Sequence, residues 1–173
     1  MTVVVVGGGI VGMAAAYSLA ERGVAVVLCE KGSVGSGSTE RSAGGIRTQF
    51  STRVNVQLSR ASIDVWESFA DEFGVDIEYR RSGYLLLARD EDTAEDFAAN
   101  VAMQREEGVD SELLDPADAR EHCPGLDPEP FRAATYCPTD GFADPHLALQ
   151  GYSQAAAEAG VDVRTKTPVT DVH

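Results

Sequence analysis

Lysine is nearly absent: Lys31 and Lys166 are the only two in 173 residues. The chain carries 28 acidic against 14 basic side chains, a formal net charge of −14. Such a surface repels phosphate backbones and anionic lipid, which excludes nucleic acid and membrane surfaces as expected partners. Cysteine is scarce and odd in number, and Cys29, Cys123 and Cys137 are too scattered for a disulfide framework. His122, His146 and His173 have no partner at ligand spacing, so no metal is expected. No apolar run approaches the roughly 20 residues that span a bilayer. Met1 leads almost directly into a strand-like run with no basic leader, and the expectation is a soluble, cytoplasmic protein without membrane insertion.

What is present begins with punctuation by glycine. Val3 to Val6 is a short apolar run of the kind found in a parallel strand buried on both faces. A glycine turn follows, then an Ala-rich helix from Ile10 to Glu21, which Gly23 stops. Val24 to Cys29 is a second apolar run closed by Glu30. Strand, helix and strand fit the roughly 30 residues of a βαβ unit, whose right-handed crossover makes the strands parallel. Residues 32–45 are rich in Gly, Ser and Thr, and a helix capped by Ser51 or Thr52 is expected to run to Phe73. Asp76 to Arg80 and Tyr84 to Ala88 read as a β-hairpin around Arg81-Ser82-Gly83. A helix over 92–107, a short helix near 115–120 and a strand over 131–137 follow; residues 141–145 read as a turn, and a helix over 146–159 comes next. Strands are expected at 161–165 and 169–172, on either side of Pro168.

Gly7-Gly8-Gly9-Ile10-Val11-Gly12 is a G-x-G-x-x-G sequence placed between a strand and a helix, with Glu30 about 20 residues on. Each position has a physical task. Gly7 permits the sharp turn, Gly9 lets the backbone approach a pyrophosphate, and Gly12 lets helix and strand pack closely. The N–H groups of the first helical turn, from Ile10 and Val11 onward, present partial positive charge to a diphosphate. Glu30 is placed to accept hydrogen bonds from ribose hydroxyls, which favours NAD or FAD over NADP. The βαβ unit alone does not choose between those two.

The opening residues Val4 to Gly12, with Ala16, Leu19, Ala20, Gly23 and Val26 through Glu30, resemble the start of the D-amino-acid-oxidase-like FAD-dependent oxidoreductase superfamily. The segment from Gly35 to Arg47 resembles the second flavin segment of its sarcosine oxidase and dimethylglycine dehydrogenase branch. The resemblance implies FAD as cofactor and oxidation of a C–N bond by hydride transfer to the flavin. It implies that Lys31, Ser38, Thr39 and Ser42 lie along the FAD phosphates and ribityl chain, and that Ala43, Gly44, Gly45 and Ile46 pass along the isoalloxazine. Arg47 would face the substrate, where a planar guanidinium suits a carboxylate. Arg41 stands where dimethylglycine dehydrogenases can attach FAD through a histidine, so the resemblance implies a dissociable cofactor. Val169 would hold the adenine through its backbone, and Thr139 to His146 would return the chain from the substrate domain.

The expected fold class is therefore α/β: a Rossmann-like FAD-binding βαβ domain with part of an inserted α+β substrate domain. The expected division is residues 1–75 and 145–173 for FAD and 76–144 for substrate. Members of the superfamily usually continue for about as many residues again, which makes a carboxy-terminal half or another subunit an expected partner and the chain alone inactive. The expected function is oxidation of an amine or small amino acid such as sarcosine, glycine or proline. The alternatives are an FAD-dependent dehydrogenase of glycerol 3-phosphate or a 2-hydroxy acid, and a non-catalytic FAD- or NAD-binding fragment. The acidic, lysine-poor composition is similar to that of proteins working in high salt.

Overall fold

The computed structural model describes residues 1–171. Two compact units emerge. The first comprises Met1–Gly44, Ser68–Glu78 and the chain from Ala143 onward; the second comprises Gly45–Glu67 and Tyr79–Phe142. Residues 45–67, expected within the 1–75 segment, cluster with the second unit, and residues 76–78, expected with 76–144, cluster with the first.

In the first unit, β1 (Thr2–Val6), β2 (Ala25–Cys29) and β8 (Asp162–Arg164) form a parallel sheet in the order β1-β2-β8. Helix α1 (Ile10–Ala20) crosses from β1 to β2 and buries Met13 and Ala16. The small Ala16 lets α1 and α5 (Pro145–Glu158) lie close together. The expectation that β1 is buried on both faces is corrected: Val4 and Val6 are 56% and 64% exposed. Within the described residues α1 packs against β1 and β2 on one face of the sheet, and alternate β1 side chains meet solvent.

An aromatic cluster anchors α5 in this unit. Phe69 and Phe73 of the short helix α3 (Phe69–Phe73) meet Tyr152 at centroid distances of 5.2 and 4.8 Å, and Tyr17 of α1 meets Phe73 at 5.4 Å. Phe69 is fully buried and lies over Gly151, where a Cβ would come within 2.5 Å of its ring. The α5 N-terminus is fixed by Asp144, whose carboxylate accepts the His146 and Leu147 N–H groups, with Pro145 in the first turn.

In the second unit, β4 (Tyr84–Ala88), β6 (Ala133–Cys137) and β5 (Glu112–Leu114) form an antiparallel sheet in the order β4-β6-β5. The helices α2 (Arg53–Glu67) and α4 (Glu91–Glu106) belong to this unit, α4 capped by Asp90. A core of Val56, Val109 and Cys137 collects Phe50 and Met103 around it. A separate ribbon pairs β3 (Gly45–Ile46) antiparallel to β7 (Gly141–Phe142).

Several expectations are corrected here. No hairpin forms at 76–88: β4 pairs with β6, while Arg80 bridges to Phe142 and the Gly83 N–H donates to the Asp140 carbonyl. Gly83 is there because the Tyr136 ring lies where its Cβ would be, 2.1 Å from the hydroxyl oxygen. The helix expected to reach Phe73 breaks at Ser68, and the expected turn at 141–145 opens with β7. The short helix near 115–120 is a 3-10 turn over Asp118–Glu121, and β5 was not anticipated. The strand expected at 169–172 is absent over 169–171, and Val172 lies outside the described residues. After β8 the chain turns through Lys166 at φ 52°, and Pro168 has no N–H with which to extend a ladder. Among the described residues no helix is long and apolar enough to cross a membrane.

Candidate functional site

The glycine turn is held by sterics that admit no side chain. Gly7 has φ +107°, and a Cβ on Gly12 would lie 1.9 Å from the Gly7 carbonyl oxygen. The Gly7 N–H still reaches the Cys29 carbonyl at 2.9 Å, so the β1-β2 ladder runs up to the bend. At the helix start Gly9 offers no capping side chain; Thr39, 29 residues beyond Ile10, supplies its Oγ1 as acceptor to the Ile10 N–H at 3.1 Å. Having accepted there, the buried Thr39 hydroxyl still has its hydrogen to donate.

Glu30 is 9% exposed. Its Oε2 accepts the Gly8 N–H at 2.8 Å and its Oε1 the Gly32 N–H at 2.7 Å. The Gly8 bond, then the Gly32 bond, hold its carboxyl below the ordinary carboxylate range, outweighing the opposing effect of burial. An ionised carboxylate has about four lone-pair sites, so each oxygen keeps capacity for a further donor such as a sugar hydroxyl. Glu30 is thus also a clip joining the glycine turn to the loop after β2, a task not anticipated from sequence.

These groups surround one cleft of about 860 Å³. The structure brings together there Gly7, Gly9, Ile10, Val11, Gly12, Glu30, Lys31, Ser38, Thr39 and Ser42, all expected. Val5, Val6, Ala15, Ser36 and Gly37 line it too and were not expected, and so does Arg41, which the resemblance put at a flavin-attachment position but gave no binding role. Arg41 carried a signal, since it sits between Thr39 and Ser42. With Lys31 it adds two cationic side chains to a cleft in a strongly acidic chain. Ala43, Gly44 and Val169 are not among the lining residues. Gly44, at φ +73°, packs against Ala143, whose carbonyl oxygen would be 1.9 Å from an added Cβ. Val169 is 40% exposed in an irregular segment two residues beyond Thr167, whose N–H donates to the Glu30 carbonyl.

Gly45, Ile46 and Arg47 lie in the second unit. The exposed Arg47 guanidinium carbon is 5.7 Å from the Phe50 ring centroid and 5.4 Å from that of Tyr84, within cation–π range of both. Among the described residues it has no carboxylate partner. Two flat faces therefore hold the guanidinium while its N–H edge remains available to a planar anion.

The sequence profile of the FAD dependent oxidoreductase (DAO) family matches residues 2–173. FAD-dependent oxidoreductase domain-containing protein 1 of Bos taurus is 36% identical over 172 residues, a match covering 92% of this chain and 35% of that protein. Sarcosine oxidase subunit beta of Arthrobacter sp. is 31% identical over 175 residues, covering 97% of this chain and 43% of that one. Among solved structures, L-proline dehydrogenase from P. horikoshii superposes with a TM-score of 0.85 at 39% identity, over 96% of this chain and 44% of that one. The chain spans less than half the length of each of these three proteins. It belongs to the FAD dependent oxidoreductase family.

Proposed function

We propose that the chain supplies the FAD-binding part of a flavin-dependent oxidoreductase that oxidises the C–N bond of a small amino acid of the sarcosine, glycine or proline class. The observation that carries this reading is the single cleft joining the crowded glycine turn, the Glu30 carboxylate and the Ser38–Ser42 segment. The residues fit the cofactor: Gly9 carries no side chain to keep a diphosphate away, and beyond Ile10, whose N–H is taken by Thr39, the first helical turn still presents the Val11 and Gly12 N–H groups. FAD, when bound, supplies the acceptor for the hydride leaving the substrate carbon.

In this reading the chain binds and orients. Main-chain N–H groups at Val11 and Gly12, the Thr39 hydroxyl and the cations of Lys31 and Arg41 hold the diphosphate. Glu30 accepts the ribose hydroxyls, Ser38 and Ser42 follow the ribityl chain, and Ala43 to Ile46 lie along the flavin ring. Val169 offers its backbone to the adenine. Arg47 pairs with the substrate carboxylate. The names of relatives, a sarcosine oxidase subunit, a glycine oxidase and an L-proline dehydrogenase, support small primary or secondary amino acids as the substrate class. The acidic composition supports small molecules rather than nucleic acid or membrane surfaces as partners, beside the remaining part or subunit of the enzyme, and the reading places the protein in the cytoplasm.

The test is spectroscopic. The FAD-loaded whole enzyme, this chain together with its remaining part or subunit, is mixed anaerobically with sarcosine, glycine and L-proline, and the visible flavin band is followed. Perturbation or bleaching by at least one of the three is expected. A flavin that none of them alters, but that glycerol 3-phosphate or a 2-hydroxy acid does, would replace the amine reading.

A further inference from the structure

Asp140 is fully buried, and among the described residues no cation pairs with it. Its Oδ1 accepts the Thr48 N–H at 2.8 Å and the Thr48 hydroxyl at 2.6 Å, and its Oδ2 accepts from Gln49 Nε2 at 3.2 Å. Every one of these donors lies in the two residues directly after Arg47. The Gln49 amide is in turn locked: Nε2 also donates to the Tyr84 carbonyl at 2.8 Å, and Oε1 accepts the Thr135 hydroxyl at 2.7 Å. Tyr84 and Phe50 are the two rings that flank the Arg47 guanidinium.

We propose that Asp140 is a positioning residue for Arg47: it fixes the backbone at Thr48 and, through Gln49, the strand carrying Tyr84, so that the guanidinium is held between its two rings for a carboxylate ligand. A buried carboxyl kept only for packing is replaceable by a neutral side chain of the same shape, often without loss. Here it is not. Asparagine at 140 must turn its NH₂ either toward Gln49 Nε2 or toward the Thr48 N–H, and Gln49 cannot flip to relieve this without losing its bond to the Tyr84 carbonyl. An acceptor at both positions is needed, which a carboxylate alone provides. Holding a long arginine in one rotamer before the ligand arrives removes the ordering cost from binding. The proposal rests on Arg47 as the carboxylate-binding residue.

The test uses the full chain, with ¹⁵N–¹H spectra of the Arg47 side chain and titration with acetate and with sarcosine. In the parent protein the Arg47 resonances are ring-current shifted by Phe50 and Tyr84, and both ligands move them saturably. Asp140→Asn is expected to abolish the ring-current shift and to weaken both ligands at least about tenfold, the loss of one charge-assisted hydrogen bond. Thr48→Ser, which keeps the hydroxyl, retains both properties, and FAD affinity stays unchanged because the glycine turn and Glu30 lie in the other unit. Should Asp140→Asn not fold, Thr48→Val carries the same prediction, since it deletes the hydroxyl donor and leaves the N–H in place. A folded Asp140→Asn with unaltered Arg47 resonances and ligand affinity overturns the proposal, as does an unaltered Thr48→Val. If neither ligand binds the parent while Asp140→Asn still shifts Arg47, the carboxylate role falls and the positioning role stands.

Discussion

A methyl group at position 12 would lie 1.9 Å from the Gly7 carbonyl oxygen, a separation no packing adjustment absorbs without moving the turn. Gly12→Ala is therefore expected to eliminate FAD binding in a titration of the visible flavin band, whatever remains of the fold. Glu30 is more subtle because it clips the fold together and, in the proposed reading, also holds the ligand. Hydrogen bonds to charged groups contribute about 1.5–3 kcal/mol, so Glu30→Gln is expected to weaken FAD by about 10- to 100-fold. Its acidity predicts a pH dependence too. A carboxyl whose pKa is lowered by folding stabilises fully above its unfolded value, and the contribution disappears as pH falls through the lower folded value. The stability difference between the parent and Glu30→Gln, measured by urea unfolding, should be constant near neutrality and shrink below the ordinary carboxylate range. A difference that grows on acidification contradicts the two backbone bonds as its source.

At the scale of elements, the helix packing in the first unit depends on a missing side chain. Gly151 sits inside α5, where alanine is intrinsically better by about 1 kcal/mol, yet an added Cβ would be 2.5 Å from the Phe69 ring. Overpacking of this kind costs about 1–3 kcal/mol, and Phe69→Ala about 3–5 kcal/mol; thermal unfolding of both variants checks the order. An equal or higher melting temperature for Gly151→Ala would show that the aromatic cluster is loose.

The legibility of the sequence divides along similar lines. The βαβ unit was readable because periodicity, the glycine spacing and Glu30 all signal one local structure within thirty residues. The hairpin expected at 76–88 does not form because Gly83, which looks like a turn residue in its local sequence, instead makes room for the Tyr136 ring more than fifty residues later. β5 and the β3-β7 ribbon are too short to show a period, and they exist through distant partners. In the candidate site, Arg41 was visible by position alone. The acceptor role of Asp140 was hidden, since nothing local joins it to Thr48, 92 residues earlier.

For the whole molecule, a net charge of −14 sets up self-repulsion that dissolved ions screen, with a Debye length of about 10 Å at 0.1 M salt and about 3 Å at 1 M. We propose that the composition is an adaptation to salt, and the melting temperature should then rise as salt is increased to molar levels. A flat or falling profile removes that idea and leaves the fold untouched. The central claim concerns the first unit alone: the cleft beside the glycine turn holds an adenine dinucleotide diphosphate on the start of α1 and its ribose on Glu30. Equilibrium titration of the purified chain with FAD tests it most directly. Saturable binding at one FAD per chain is predicted, weakened by Glu30→Gln and lost in Gly12→Ala; binding that both variants leave unchanged, or no binding by the folded parent chain, would contradict it.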